Sequence, residues 1–144
     1  MIVIYHRHGV GAGKGPVEYL LGKDQERDNA ELLRGDPESI IEEIDSLDFS
    51  KKYTSGLLSI NEIDMSEEDK NKIMDDFEKA TFCGLDPDQY SILWVQHMDK
   101  ENLELNFVIP NVEHRTGMRL QPYYHAADKD RINEFRDIQN IKYD

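Results

Sequence analysis

Hydrophobic positions along the chain switch between two-residue alternation and helical spacing, and the switches predict an ordered set of elements. Ile2, Val3, Ile4 and Tyr5 predict a strand over residues 2–7, followed by a glycine-rich loop. Val17, Leu20 and Leu21 return at helical spacing, with Pro16 suited to the first helical position and Gly22 to the stop. "AELLRG" predicts a short strand. In "DPESIIEEIDSL", Asp36 serves as N-cap and Pro37 as first residue of a helix. "YTSGLLSI" reads as a strand, and "SEEDKNKIMDDFEKATF" as a helix capped by Ser66 with Ile73, Met74 and Phe77 on one side. "YSILWVQHM" and "LELNFVIP" are strands joined by "DKEN", hence a hairpin. "TGMRL" predicts a turn and a further short strand, and "DKDRINEFRDIQNIKY" a last amphipathic helix. Strands bounded by hairpins and polar turns, with helices between them, predict the α+β class: an antiparallel sheet of about five strands covered by helices on one face.

The hairpin carries the first candidate chemistry. Centring its turn between Lys100 and Glu101 sets His97 opposite Glu104 and Val95 opposite Asn106, so the three polar side chains share one face. The other face pairs Trp94 with Phe107 and Ile92 with Ile109. An imidazole, a carboxylate and an amide oxygen in one place can hold a divalent cation with positions open for a substrate oxygen. A half-exposed sheet, on which Glu104 and Asn106 face solvent and His97 simply pairs with the carboxylate, is the more routine source of the same pattern.

Composition narrows the class. A chain of 144 residues suits one domain, and its single cysteine, Cys83, excludes an intramolecular disulfide. The absence of a long apolar run or signal-type leader adds to the expectation of a reducing, cytoplasmic setting. The net charge of −13 argues against nucleic-acid binding when taken alone. Its excess acid is concentrated in residues 36–89, however, with sixteen acidic against five basic side chains, so a near-neutral functional face remains open.

The segment "HGVGAGKGPVEYLLGKD" places four of its five glycines and Lys14 ahead of Tyr19 at the start of the predicted helix. It fails the P-loop pattern, because His8 stands where the first glycine is required and a glycine follows Lys14, and it fails the dinucleotide pattern as well. Tyr19 in the first helical turn would lie near unpaired N–H groups and the positive end of the helix dipole, which favour phosphate and phenolate alike. His6 and His8 share a strand face and are candidates for a general base or extra ligands, or form a plain structural pair. Lys14, Lys23, Arg27, Lys51, Lys52, Arg115 and Arg119 are candidate phosphate contacts, and Tyr123 and Tyr124 candidate base-stacking platforms; each is equally readable as ordinary surface or packing.

Taken together, "GPVEYLLGKDQERD", "KKYTSGLLSI", "DQYSILWVQHMDKENLELNFVIPN" and "TGMRLQPYY" resemble the mobilization relaxases of small colicin-type plasmids, the His–Glu–Asn subgroup of the HUH tyrosine endonucleases. The resemblance covers nearly the whole chain. It implies a relaxase domain over residues 1–144, the N-terminal part of a longer protein, with Tyr19 as nucleophile and His97, Glu104 and Asn106 as metal ligands. The implied reaction is strand-specific nicking at a plasmid transfer origin, leaving a 5′-phosphotyrosyl link and a free 3′-hydroxyl. Single-stranded DNA is the implied substrate, with accessory mobilization proteins and a coupling protein as partners. Oxygen-rich ligation with one imidazole points to Mg²⁺ or Mn²⁺. A rolling-circle replication initiator with the same chemistry, or a non-catalytic DNA-binding module, are the alternatives.

Overall fold

The computed structural model describes residues 1–7, 9–61, 64–99 and 102–143. The order is β1 (Ile2–Tyr5), α1 (Lys14–Leu21), β2 (Ala30–Arg34), α2 (Pro37–Asp45), β3 (Tyr53–Ile60), α3 (Glu67–Thr81), β4 (Leu93–Asp99), β5 (Asn102–Pro110) and α4 (His125–Tyr143). The five strands form one antiparallel sheet in the order β1-β3-β5-β4-β2, so the hairpin strands lie inside the sheet. None of the described helices is long and apolar enough to cross a membrane.

Helices cover both faces of the sheet and not one. The reason lies in β4 and β5, which are apolar on both sides: Leu93, Val95 and Val108 face one way, and Trp94, Leu105, Phe107 and Ile109 the other. A strand of that kind must be covered on each face. α1 and α2 supply Val17, Leu20, Leu21, Ile40 and Ile44 to the first face. α3 and α4 supply Ile73, Met74, Phe77 and Phe135 to the second, where Phe77 meets Trp94 and Phe107 edge-on. Much of the acidic middle segment is α3, which therefore sits on the sheet face opposite His97.

Local capping follows the sequence closely. Asp36 accepts from the Ser39 backbone N–H and Ser66 from that of Asp69, so α2 and α3 start where their caps predict. α1 starts two residues earlier than expected, at Lys14, so Pro16 takes the third position, where a missing N–H is still harmless. Gly22 ends the helix at φ +87°, a conformation that other residues adopt only at a cost. "TGMRL" forms no strand; Arg119 makes one isolated bridge to Val112. α4 begins at His125, three residues before the predicted segment.

One glycine in β3 sets the join to the edge strand β1. A Cβ on Gly56 would stand 2.2 Å from the Ile4 carbonyl oxygen and 2.7 Å from Phe107 Cζ. Gly56→Ala must therefore part β1 from β3 or shift a core ring, and urea unfolding is expected to show a loss of about 2–3 kcal/mol. An unchanged midpoint would show that β1 is not clamped at this point.

Candidate active site

His97 on β4 and Glu104 and Asn106 on β5 stand on one sheet face, in the register read from the hairpin. The centre of the turn, Lys100 and Glu101, lies outside the described residues, yet the ladder on its near side pairs Asp99 with Asn102 and His97 with Glu104. Ile92 precedes β4, so its expected pairing with Ile109 is replaced by a ladder that ends at Leu93 and Val108.

Packing dictates the state of each polar side chain. His97 is only 7% exposed, and its Nε2 lies 2.7 Å from the Leu20 carbonyl oxygen. A carbonyl can only accept, so Nε2 carries the hydrogen and the lone pair belongs to Nδ1. Nδ1 faces Glu104 Oε1 at 3.9 Å, beyond the ~2.7–3.2 Å of a direct hydrogen bond. The Asn106 amide nitrogen donates to the Val95 carbonyl at 3.2 Å, which leaves the amide oxygen as the atom that could ligate a cation. Asn106 is buried and Glu104 half-exposed, so one candidate ligand is fixed by packing and the other reachable from solvent. This set of one nitrogen and two oxygens fits a hard divalent cation. Among the described residues no group of three His, Cys, Asp or Glu side chains could hold a metal, so a site here depends on the amide.

The bond from His97 to Leu20 also docks α1 on this face. Tyr19 is the preceding residue, 68% exposed on the helix's outer side. It is the sixth residue of α1, beyond the first turn, so the expected help from unpaired N–H groups at the helix start does not reach it. The glycine loop is no open phosphate cradle either. The Gly13 N–H is taken by Asp45 Oδ1 at 2.8 Å, and Gly9 and Gly13 are small because backbone of Tyr53 and Ile41 presses against them. Gly15, by contrast, has open space around it.

Tyr19 overlooks a cleft of about 370 Å³ whose walls include His6, Gly15, Pro16, Tyr53 and Ser55. His6 is thus brought to the same cleft as Tyr19, while His8 lies outside the described residues. Arg27 returns from the loop after α1 to place its guanidinium 5.5 Å from the centre of the Tyr19 ring and to donate from Nη1 to the Tyr19 carbonyl. Tyr53 presents a second phenol to the cleft, but burial pushes its pKa up and disfavours its phenolate.

The other candidate cations separate into groups. Lys14 pairs with Glu18 at 3.7 Å, and Lys23 is exposed just past α1. Lys51 and Lys52 lead into β3, where the Lys52 N–H donates to the Gly9 carbonyl. Arg115 lies at the end of the hairpin away from His97 and is held by Asp86 and Asp88 at 3.0 and 2.8 Å, so it braces a loop and is not free for phosphate. Arg119 is exposed beside its bridge to Val112. Tyr123 stacks on Tyr5 at 3.9 Å, a packing role, whereas Tyr124 is 59% exposed. Sequence reasoning passed over Arg7, His125 and Arg136, which line one groove with Lys51, Tyr123 and Tyr124. No local signal marks them, because the chain brings residues 7 and 136 together only through the packing of α4 on β1.

Comparison with known proteins gives the family. The model for "Relaxase: MobA/VirD2-like, nuclease domain" matches residues 19–144. The chain is 54% identical over 143 residues to cryptic plasmid protein C of Neisseria gonorrhoeae, covering 99% of this chain and 70% of that protein. It is 51% identical over 143 residues to DNA relaxase MbeA of Escherichia coli, covering 99% of this chain but only 28% of that relative. No solved structure matches it significantly. With an antiparallel α+β sheet that carries an imidazole, a carboxylate and an amide beneath a tyrosine-bearing helix, the chain belongs to the MobA/VirD2-like relaxase family, as its DNA-nicking nuclease domain.

Proposed function

We propose that the chain nicks one strand of plasmid DNA at a transfer origin by transesterification through Tyr19. The observation that carries this reading is the hydrogen bond from His97 to the Leu20 carbonyl, which couples the tyrosine's helix to the candidate metal face. The Tyr19 Oη attacks the scissile phosphorus, the bond from phosphorus to the 3′ oxygen breaks, and a 5′-phosphotyrosyl ester and a free 3′-hydroxyl result. His6, on the wall of the same cleft, takes the phenolic proton, and a proton returns to the leaving 3′ oxygen. Arg27, over the Tyr19 ring, holds the side chain and places positive charge beside the developing phenolate. Because an ester replaces an ester, little free energy is lost and the reverse reaction reseals the strand.

The relaxase nuclease family is metal-dependent, and His97 Nδ1, Glu104 and the Asn106 amide oxygen would hold the ion here. Bound there, Mg²⁺ or Mn²⁺ supplies charge that polarises a non-bridging phosphate oxygen. His97 is kept in the required tautomer by Leu20, and Asn106 in the required orientation by Val95. The substrate is single-stranded plasmid DNA, and accessory mobilization proteins and a coupling protein in the cytoplasm are the expected partners.

The test is covalent capture. The protein, incubated with Mn²⁺ and a labelled oligonucleotide bearing its plasmid's nick site, is expected to yield a labelled band stable to denaturing electrophoresis, and a chelator present from the start is expected to prevent it. A protein that binds the oligonucleotide yet never becomes attached to it is a binding module of the same fold and not a nickase.

A further inference from the structure

We infer that single-stranded DNA leaving the Tyr19 cleft crosses the β1 edge at His6 and runs in a second groove on the opposite side of the sheet, between β1 and α4. This rests on the nicking reading above and extends it to the path of the strand. His6 is the shared wall: it lines both the 370 Å³ cleft and an adjoining groove of about 660 Å³. The groove also holds Arg7, Lys51, Arg136, Tyr123, Tyr124 and His125.

The chain has 30 acidic residues in 144, about one position in five, yet among the described residues neither the cleft nor the groove has an Asp or Glu in its lining. Asp128, on the first turn of α4, is already bound by the Tyr124 backbone N–H at 2.7 Å and by Arg131 at 3.1 Å. Among the described residues Arg7 and Lys51 form no ion pair, and Arg136 reaches only its neighbour Asp137. A surface this poor in acid, on so acidic a protein, suits a polyanion.

Shape and aromatic content select a single strand. Tyr5 and Tyr123, stacked at 3.9 Å and nearly parallel, form a rigid floor, and exposed Tyr124 stands beside them with its ring available to an unpaired base. Cations that track a backbone and rings that take bases are the two elements by which single strands are held without sequence preference. The remote groove also offers an acidic protein the affinity that the near-neutral nucleophile cleft cannot supply.

The test is the salt dependence of binding, read by fluorescence anisotropy with a labelled oligothymidylate of about twenty nucleotides. The triple variant Arg7→Gln, Lys51→Gln, Arg136→Gln is expected to lower the slope of log affinity against log salt by about 2, from ~0.7 per lost phosphate contact. The triple variant Lys72→Gln, Lys79→Gln, Lys129→Gln, with the same change in net charge outside the groove, is expected to keep the parent slope. Tyr124→Ala is expected to weaken binding about tenfold with the slope retained. Thermal unfolding checks that each variant is folded. Equal slopes in the parent and the groove variant, or equal losses in both triple variants, overturn the proposed path. Wild-type protein that forms the covalent adduct while the groove variants bind as it does sinks the groove alone, whereas wild-type protein that neither binds nor is captured sinks the nicking reading with it.

Discussion

Tyr19→Phe is expected to lower covalent capture of the nick-site oligonucleotide by at least about 10⁴-fold, because the attacking oxygen itself is gone. Affinity for the same oligonucleotide is expected to stay within about twofold, since an exposed phenyl ring keeps the helix packing and the contact with Arg27. Tyr53→Phe is the informative control. Both phenols border one cleft, but Tyr53 is partly buried and its pKa is pushed up by desolvation, so removing its hydroxyl is expected to leave capture nearly unchanged. Attachment by the Tyr19 variant, with the linked peptide mapped to another tyrosine by mass spectrometry, would show that the nucleophile has been misassigned.

Glu104→Ala is expected to produce the second-largest change. Glu104 is half-exposed and makes no close hydrogen bond, so its loss leaves folding intact while removing the one full negative charge in the candidate ligand set. The Mn²⁺ concentration for half-maximal capture is expected to rise at least tenfold, and the rate at fixed metal to fall about a hundredfold. Excess Mn²⁺ is expected to restore part of the rate, because His97 and Asn106 remain. His97→Ala differs in a measurable way: it also removes the tie to Leu20, so a lower melting temperature accompanies the metal defect. An unaltered metal requirement in Glu104→Ala would place the ion elsewhere.

The hairpin shows how the shared face of three polar side chains can be read from a one-dimensional pattern. Strand alternation and an even-length turn leave one register, and that register puts His97, Glu104 and Asn106 together whatever packs above them. The capped helices α2 and α3 were legible for a similar reason, since Asp36 and Ser66 act on N–H groups three residues away. The glycine loop was legible only in part. Gly22 does end α1 as read, but Gly9 and Gly13 serve close approaches to Tyr53 and Ile41, contacts across the chain that no local spacing encodes. Likewise Arg115 looks like any surface cation until the fold brings Asp86 and Asp88 against it.

By itself the sequence determined what short-range geometry controls: the strands, the two capped helices, the pairing of the hairpin and the family that its motifs resemble. Only the tertiary structure decided that both sheet faces are covered, because the apolar character of β4 and β5 says that cover is needed but not which helices provide it. It alone docked α1, the helix that carries Tyr19, on the sheet face of His97, through a hydrogen bond between residues 77 positions apart. It also assembled a groove from Arg7, Lys51, Tyr123, Tyr124 and Arg136, with no acid in its lining among the described residues, since long-range placement depends on packing and chain closure, which leave no periodic trace in the sequence.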